Sequence, residues 1–466
     1  MTGNCRQPER VGGVDDEGGT MSHGLKDFRR IGPPDWHDVR TNAAGLGVLY
    51  TVEVELARLL GGWIARMPEL SEKIAFAKVV YEDAEHAALL EARLLELRVP
   101  EPDLAALRRR TAPIFTRLER AEDPWEVLAH VFRVLKPALL ADLRRHLEGC
   151  PPYVDEPTVR IVRRILREEE LHLELGLALL AARGIEWAGS SADGLWDLHA
   201  EGGGLVEGAF VGAEPVDLPS PAWPAAVEKL PYDVPMPPYP EDFETAMQRC
   251  VHELVFSETE AIDIFGRYVY EFPDMPWAFS LEAARICWDE ARHVELILDV
   301  LQRWGGHVGQ FPAKAPGYEE FAREAGTLER IIMINVIAEG EVSTDTQTQH
   351  REAFRQLGDD LSALLKDYEM ADEVFHGQFG VKWSRWLAAQ TGGDYAAAYA
   401  RAKASLEDFK AQHDEEGADS PIPLVRLGAE ETGSGRVVNV GAKRLLGFSD
   451  EEIEQLAAAA SGSVED

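Results

Sequence analysis

The chain lacks several features that would place it in a particular class of protein. Its 466 residues contain no apolar run of about 18 residues, so we expect no membrane-spanning helix. Residues 1–40 are polar and Gly-rich without an apolar segment; we expect a disordered tail there and no secretory signal. The four cysteines show no paired spacing, which favours a reducing cytoplasm over a disulfide framework.

Basic residues are scarce relative to acidic ones. The chain has 47 Lys and Arg against 82 Asp and Glu, a formal net charge of −35. Such a surface repels phosphate backbones, so we expect no nucleic-acid partner. It attracts metal cations and amine-bearing molecules, although solubility is the simpler explanation of the acidity. None of this defines the oligomeric state, and a homodimer is left open.

Strand signals are also scarce, and the dominant pattern is helical. Long stretches rich in Ala, Leu, Glu and Arg carry apolar residues at helical spacing, which is typical of amphipathic helices. The predicted helices span 42–66, 69–98, 102–120, 124–148, 156–183, 241–270, 277–304, 317–352, 359–391, 394–413 and 450–460. The sequence therefore predicts an all-α fold.

Proline and glycine divide this helical pattern into domains. Residues 186–240 are rich in both and cannot form a continuous helix. We interpret them as a linker between two tandem four-helix bundles, at 41–185 and 241–392. A C-terminal helix and irregular tail are expected over 393–466.

The most informative motif is an acid three residues ahead of a histidine. It occurs four times, at Asp83/His86, Glu169/His172, Glu290/His293 and Glu373/His376. Residues three apart share one face of a helix, so each pair can offer a carboxylate and an imidazole to one metal ion. His86 and His293 are 207 residues apart, and His172 and His376 are 204 apart. This spacing indicates a duplicated bundle.

The turns between the predicted helices lie midway between acidic residues. Two antiparallel helices present side chains at one height only when the turn lies halfway between them in sequence. The turn at Pro273 to Pro276 lies midway between Glu258 and Glu290. Gly358 lies beside the midpoint of Glu339 and Glu373, and Pro68 lies at the midpoint of Glu53 and Asp83. Acids scattered at random would not be centred in this way.

The second predicted bundle offers a complete dinuclear metal site. Such sites take one Glu from each of two helices and a Glu-x-x-His pair from each of the other two. The expected ligands are Glu258, Glu290, His293, Glu339, Glu373 and His376, with Glu260 and Glu341 as alternatives to Glu258 and Glu339. Glu290 and Glu373 are expected to bridge the two ions. Glu339 follows an apolar run, and a buried carboxylate needs a compensating cation or partner.

The first predicted bundle is incomplete. It offers Glu53, Asp83, His86, Glu169 and His172. On its third helix, the position that mirrors Glu169 is Leu135, beside Val134 and Lys136, and none of these supplies a carboxylate. A lysine ammonium at this height could replace a cation. We therefore expect the first bundle to be a degenerate copy with a structural role.

Four sequence blocks carry a resemblance to a known family. They are Glu258 to Ile262, Phe272 to Pro276, Asp289 to His293 and Asp372 to Gly377. The stretch from Glu258 to Trp386 resembles an uncharacterised ferritin-like family of bacterial helical proteins, a domain-of-unknown-function group; the third helix, at Ala338 to Glu341, is looser than the family pattern. The resemblance implies a carboxylate-bridged dinuclear metal centre. It implies no particular reaction, since this fold hosts ferroxidases, manganese catalases and oxygenases.

These observations predict a cytoplasmic non-haem dinuclear-iron oxidoreductase. It would activate dioxygen and oxidise a small organic substrate, with electrons from a donor that the sequence does not specify. Hard carboxylate oxygens with one imidazole per ion suit two iron ions, or manganese as the alternative. Two other functions stay open, namely iron handling as a ferroxidase and a non-catalytic role in which metal stiffens a binding protein. The aromatics expected in the pocket or the adjacent core are Phe256, Trp288, Tyr368 and Phe375.

Overall fold

The computed structural model describes residues 35–186, 206–207, 221–231, 234–314, 317, 325–412, 429–431 and 437–462. Helices dominate these residues, which confirms the all-α prediction. Most of the predicted 1–40 tail, most of 186–220 and part of 393–466 lie outside the described residues. Within the described ranges, no helix combines the length and the apolar composition that crossing a membrane would require.

Seven α-helices are described in the N-terminal half. Their bounds are α1 Val39–Trp63, α2 Leu70–Glu96, α3 Glu101–Arg108, α4 Pro113–Glu119, α5 Pro124–His130, α6 Lys136–Gly149 and α7 Glu156–Ala182. A 3₁₀ turn, Ile64–Arg66, extends α1, and a π-helical segment, Val131–Leu135, joins α5 to α6. The long third helix of the expected bundle is therefore a composite of α5, the π segment and α6.

The predicted helix over 102–120 is wrong as a single element. It is divided into α3 and α4 by β1, Arg110–Thr111, which pairs antiparallel with β2, Val206–Glu207. Pro113 explains the interruption, because the residue before a proline disfavours helical geometry while proline itself is tolerated in a first helical turn. The linker thus contributes a short strand to the N-terminal half.

The C-terminal half contains longer helices. Their bounds are α8 Phe243–Glu271, α9 Trp277–Arg303, α10 Thr327–Ile331, α11 Thr344–Gln356, α12 Asp360–Thr391, α13 Tyr395–Gln412, α14 Val440–Leu445 and α15 Asp450–Gly462. A π-helical segment, Ile332–Ser343, joins α10 to α11. Two short strands, β3 Ala429–Glu431 and β4 Val437–Asn439, pair antiparallel.

Aspartates fix the starts of three helices that carry candidate ligands. Asp38, Asp242 and Asp359 each accept a hydrogen bond from the N3 amide of α1, α8 and α12, at 2.7, 2.9 and 3.1 Å. Such a cap stabilises a helix by about 1 kcal/mol because it satisfies an otherwise unpaired amide. Gly392, in the left-handed region at φ 68°, ends α12. Local sequence signals therefore set where these helices begin and end.

The helices pack into two groups that share one core. Helices α1, α2, α6 and α7 form the N-terminal helix group, and α8, α9, α12 and the π segment with α11 form the C-terminal helix group. The groups meet along α1 and α2 on one side and α8 and α9 on the other. A single cluster of buried apolar residues runs through both groups.

The described part of the proline-rich linker lies against both groups. The Ala222 amide donates to the Ala65 carbonyl at 2.7 Å, and the Trp223 ring stacks on Phe256 with centroids 4.6 Å apart. Further on, the Leu230 amide donates to the Ala313 carbonyl at 3.0 Å. These residues therefore pack as part of the folded structure.

The C-terminal extension covers one side of the C-terminal helix group. Leu446 packs on Gly340 of the π segment and Gly377 of α12, where a Cβ on either glycine would collide with its side chain. Gly340 and Gly377 directly follow Glu339 and His376. The extension thus lies beside two of the predicted ligands.

Candidate metal centres

Two buried clusters of carboxylates and imidazoles lie inside the C-terminal helix group and share Glu373. Within each cluster, the potential ligand atoms are within 4.8 Å of one another. The members are Glu258, His293, Glu369 and Glu373 in one cluster, and Glu290, Glu339, Glu373 and His376 in the other. The structure therefore brings together all six side chains that the sequence singles out.

Glu290 and Glu373 each direct one oxygen toward each histidine. Glu290 Oε2 lies 3.1 Å from His293 Nδ1, and its Oε1 lies 2.9 Å from His376 Nδ1. Glu373 repeats the arrangement, with Oε1 3.9 Å from His293 Nδ1 and Oε2 3.7 Å from His376 Nδ1. A carboxylate that reaches two imidazoles in this way has the geometry that bridging two metal ions requires.

The other two predicted carboxylates each face one histidine. Glu258 Oε2 lies 3.7 Å from His293 Nδ1, and Glu339 Oε2 lies 3.8 Å from His376 Nδ1. We call the space beside Glu258 and His293 position A, and the space beside Glu339 and His376 position B. Of the two alternatives considered, Glu260 faces Gly317, and the side chain of Glu341 lies outside the described part of the chain.

An aspartate of the opposing helix lies behind each imidazole, within hydrogen-bonding distance for His293 but not for His376. His293 Nε2 lies 3.3 Å from Asp372 Oδ2, and His376 Nε2 lies 3.6 Å from Asp289 Oδ2. An acid at Nε2 keeps the proton on that nitrogen, so that the Nδ1 lone pair faces the cluster. Sequence reasoning missed both aspartates. The available signal was that an acid also precedes each motif, at Glu82, Glu168, Asp289 and Asp372.

Glu369 is a further carboxylate that sequence reasoning missed. It lies one helical turn before Glu373 on α12 and accepts hydrogen bonds from Lys366 Nζ at 2.7 Å and from Gln347 Nε2 at 2.6 Å. Because residues four apart share a helical face, its position ahead of Glu373 was the available signal. Glu369 adds a further carboxylate beside Glu258 and Glu373 at position A.

Buried polar atoms of the cluster lack partners, which tests whether a metal fits. Among the described residues, neither oxygen of Glu373 and neither ring nitrogen of His376 has a hydrogen-bond partner. Leaving such groups buried and unpaired costs about 1–3 kcal/mol each, and more when they are charged. Five carboxylates and the Lys366 ammonium leave four negative charges at positions A and B. Two divalent cations would neutralise that charge, so the residues fit a dinuclear centre.

The pKa values show how the cluster behaves without a cation. Burial raises the pKa of Glu290 to about 7, and burial with the charge of Glu339 raises the pKa of Glu373 well above its usual range. Burial alone would lower the pKa of His293, but Glu290 and neighbouring acids raise it well above its ordinary value. Protons therefore compensate the charge in the metal-free cluster, and a metal ion would displace them.

Two of the six predicted ligands are partly exposed to solvent. The side chains of Glu258 and Glu339 are 10% and 17% exposed, whereas those of Glu290 and His376 are 0% exposed. Glu258 lies on α8, and Glu339 lies in the π segment. A π segment widens a helix locally and often occurs at functional sites. Glu258 and Glu339 are therefore the most accessible of the six predicted ligands.

The four aromatic residues expected near the ligands do not all lie there. Phe375 lies near the His376 ring, with centroids 6.2 Å apart, and Phe265, which the sequence did not single out, lies at the same distance. Phe256 instead stacks on Trp223, and Tyr368 is 66% exposed, so Tyr368 lines neither the site nor the core. Trp288 is half-buried.

Cys287, three residues before Glu290, is a buried thiol. Its Sγ donates to the Ile262 carbonyl at 3.4 Å. Burial raises the pKa of the Cys287 thiol well above its usual range. The thiol therefore stays protonated and does not offer the thiolate that soft metal ions prefer.

The N-terminal helix group contains a related cluster. Glu53, Asp83, His86 and Glu169 lie within the same 4.8 Å limit. The rings of His86 and His172 are 5.9 Å apart, as are those of His293 and His376. Lys136 Nζ donates to Asp83 Oδ1 and to Glu169 Oε1, each at 2.7 Å. The predicted residues of the first bundle are therefore together, with an ammonium among them.

Comparison with known proteins assigns no activity. Residues 205–415 match the model of a family described as "Protein of unknown function (DUF455)". That match covers the C-terminal helix group and α13, and it leaves out residues 35–186. The searches of curated proteins and of solved structures found no match. The chain is thus similar over this region to a family without an assigned function.

Proposed function

We propose that the C-terminal helix group binds two iron ions and uses them to activate dioxygen for the oxidation of a small organic substrate. The observation that carries this proposal is the double arrangement of Glu290 and Glu373, each facing both histidines. Hard carboxylate oxygens with one imidazole per ion suit iron, with manganese as the alternative. Similarity to ferritin-like bundles, which host such centres, supports the proposal by analogy.

The protein's own part would be to hold, orient and partly enclose the metal ions. Bound iron would supply the binding and reduction of dioxygen, which no side chain here can perform. His293 and His376 would each ligate through Nδ1, with Asp372 and Asp289 keeping the rings oriented from behind. Such outer carboxylates commonly change metal affinity about 10–100-fold when they are removed.

Glu258 and Glu339 have a second role in this proposal. They are the least buried of the six predicted ligands, so the edge that they form admits dioxygen and the substrate. Glu290 and Glu373, by contrast, are 0% and 1% exposed. The buried half of the site would keep bulk water away from the ions.

Lys366 and Glu369 distinguish position A from position B. The Lys366 ammonium donates to Glu369 Oε1 at 2.7 Å, and both side chains are buried. A carboxylate already bonded to an ammonium is a weaker metal ligand than a free one, since its charge is shared. We therefore expect Glu369 to act as a proton-holding neighbour of position A, with Glu258 as the terminal ligand.

The test is anaerobic reconstitution with ferrous iron, followed by metal analysis and exposure to air. We expect two irons per chain at positions A and B, and we expect Glu373→Ala and His293→Ala to lose these two. Glu352→Ala is the matched control, because Glu352 is an exposed glutamate of the same helix group. Unchanged iron content in Glu373→Ala and His293→Ala would contradict the proposal.

The response to air separates this function from the other two. Consumption of dioxygen in proportion to the bound iron, with a change in near-ultraviolet and visible absorption, supports an oxidase or oxygenase. Oxidation of many irons per chain would indicate a ferroxidase instead. Bound iron that air leaves ferrous would indicate that the metal only stiffens the fold.

A further inference from the structure

We propose that the N-terminal helix group holds one divalent cation, and that the Lys136 ammonium stands where a second cation would bind. This site is separate from positions A and B, and the inference does not depend on the proposed function. It replaces the expectation that the first bundle is merely a degenerate structural copy. The argument rests on the placement of Lys136 and on the atoms that it leaves unpaired.

Lys136 occupies the counterpart of position B. Its Nζ lies 2.7 Å from Asp83 Oδ1, 2.7 Å from Glu169 Oε1 and 3.4 Å from His172 Nδ1. By motif order, these three residues correspond to Glu290, Glu373 and His376 of the C-terminal helix group. The ammonium therefore sits among the same types of ligand that surround position B.

The packing of two glycines shows that Lys136 replaces Glu339. Gly176 and Gly380 each lie four residues after the second histidine of their group. Gly176 packs on the Phe132 ring, and Gly380 packs on Asn335, whose Cβ would lie 2.5 Å from a Cβ built on the glycine. Lys136 follows Phe132 by four residues, and Glu339 follows Asn335 by four. The third helices are thus in the same register, with an ammonium in place of a carboxylate.

The counterpart of position A in the N-terminal helix group keeps two carboxylates and an imidazole, and several of their buried polar atoms have no hydrogen-bond partner within the described part of the chain. Glu53 Oε2 and Glu169 Oε1 lie 3.5 and 3.6 Å from His86 Nδ1. Among the described residues, both oxygens of Glu53, Glu169 Oε2 and His86 Nδ1 have no hydrogen-bond partner. All three side chains are 0% exposed, so bulk water does not reach them. Glu53, His86 and Glu169 each offer a ligand atom within 4.8 Å of the others, and the Glu169 oxygen nearest His86, Oε1, also accepts a hydrogen bond from Lys136.

The orientation of His86 suits ligation. Its Nε2 lies 2.8 Å from Glu168 Oε2, on the side away from the cluster. Glu168 therefore holds the proton on Nε2, as Asp372 does for His293, and leaves the Nδ1 lone pair facing Glu53 and Glu169. Two carboxylates and one imidazole are a ligand set for a divalent first-row cation.

The charges indicate one cation. Three carboxylates, Glu53, Asp83 and Glu169, face the single ammonium of Lys136, which leaves two negative charges. One divalent cation balances them, whereas the four charges around positions A and B call for two. The N-terminal site is also closed, since none of its ligands is exposed. We therefore assign it a structural cation that crosslinks α1, α2 and α7 and that a substrate cannot reach.

The experiment loads the protein with Mn²⁺ alone, removes free ion by gel filtration, and measures bound manganese by elemental analysis and electron paramagnetic resonance. In a Glu373→Ala background, we expect one equivalent with the spectrum of an isolated ion. Adding Glu53→Gln should remove that equivalent. Glu96→Gln on α2 is the control, because Glu96 is exposed and distant from the cluster. The same loss of one equivalent is expected when Glu53→Gln is made in the unaltered chain.

Lys136→Glu provides the opposite change. A carboxylate in place of the ammonium should raise the N-terminal content from one equivalent to two, with spin coupling between the ions. Circular dichroism and thermal unfolding verify that each variant is folded before metal is counted. Manganese content that is the same with and without Glu53→Gln in the unaltered, folded chain overturns the inference. Loss of the Glu53-dependent equivalent with no binding at positions A and B would instead support it while refuting the proposed function.

Discussion

Gly61 of α1 and Gly266 of α8 meet where the two helix groups cross. A Cβ on Gly61 would lie 2.7 Å from the Gly266 carbonyl oxygen, and a Cβ on Gly266 would lie 2.7 Å from the Gly61 carbonyl oxygen. The two glycines are 205 residues apart, which is also the offset from Glu53 to Glu258. The contact therefore joins positions that correspond in the predicted duplication, as a two-fold arrangement of duplicated units would.

Gly61→Ala should destabilise the protein by about 1–3 kcal/mol, because the added methyl group forces α1 and α8 apart. The measurement is chemical unfolding followed by circular dichroism. Gly47→Ala is the control on the same helix, since the nearest neighbour of its Cβ is the flexible Leu107 side chain at 3.2 Å. There we expect a neutral effect or a gain of up to about 1 kcal/mol. Equal effects at both glycines would contradict the close crossing.

Lys73→Met should destabilise the protein by about 3–5 kcal/mol. Lys73 of α2 contacts Asp263 of α8 in a buried ion pair, with side chains 0% and 2% exposed. Removing the ammonium leaves a buried carboxylate without its cation. The double variant Lys73→Met with Asp263→Leu should recover most of the lost free energy of unfolding. If the single and double variants unfold alike, the pair does not link the helix groups.

Asp372→Ala should weaken metal binding by about 10–100-fold while leaving the ligands in place. The carboxylate orients His293 and also accepts a hydrogen bond from Arg292 at 3.0 Å. Competition with a chelator measures the affinity. Asp367→Ala on the same helix is the control, because Asp367 pairs with Arg351 and Arg355 away from the cluster. An affinity unchanged by Asp372→Ala would show that the ring needs no support.

His252→Gln should reduce the loss of stability on acidification. Burial, with a smaller effect of His307, lowers the pKa of His252 to about 4, and its Nε2 accepts a hydrogen bond from the Gly309 amide at 3.1 Å. An unfolded histidine has a pKa of about 6.5, so between these values only the unfolded state takes up the proton. The stability that neutral His252 contributes is present above pH 6.5 and is lost toward pH 4.

Urea unfolding at pH 7.5 and pH 5 tests the His252 prediction. The wild type should lose up to about 1.4 kcal/mol more per pH unit than the variant over this range. Parallel losses in the two proteins would mean that His252 is protonated equally in the folded and unfolded states.

The helices were predictable because their signals are local. Apolar spacing, aspartate caps and proline or glycine breaks lie within a few residues of each boundary, so the predicted limits of α8, α9 and α12 agree closely with the observed ones. Pro113 was a local signal for the break between α3 and α4, but apolar spacing did not show it, and β1 itself forms through pairing with the distant residues of β2. The π segments around Glu339 and before Lys136 likewise depend on packing against neighbouring helices.

The ligands of the candidate site were predictable where the repeated acid-x-x-His motif pointed to them. The four acid-x-x-His pairs and their turns identified Glu258 and Glu339 through symmetry alone. Glu369, Asp289 and Asp372 were missed because acids are abundant and only a spatial partner distinguishes one from another. Glu369 gains its position from Lys366 and Gln347, and neither pairing has a sequence signature that excludes a solvated helix face.

The order of the helices and the identities of the six converging side chains follow from the sequence, because helical periodicity and motif spacing are properties of the linear chain. Which oxygen faces which imidazole, which ligands are exposed to solvent, and where the Lys136 ammonium rests were decided by tertiary structure. These features depend on the distances between helices, which only packing sets. The electrostatic energy between two charged groups changes steeply over a few ångströms, so small shifts in packing decide which groups form ion pairs.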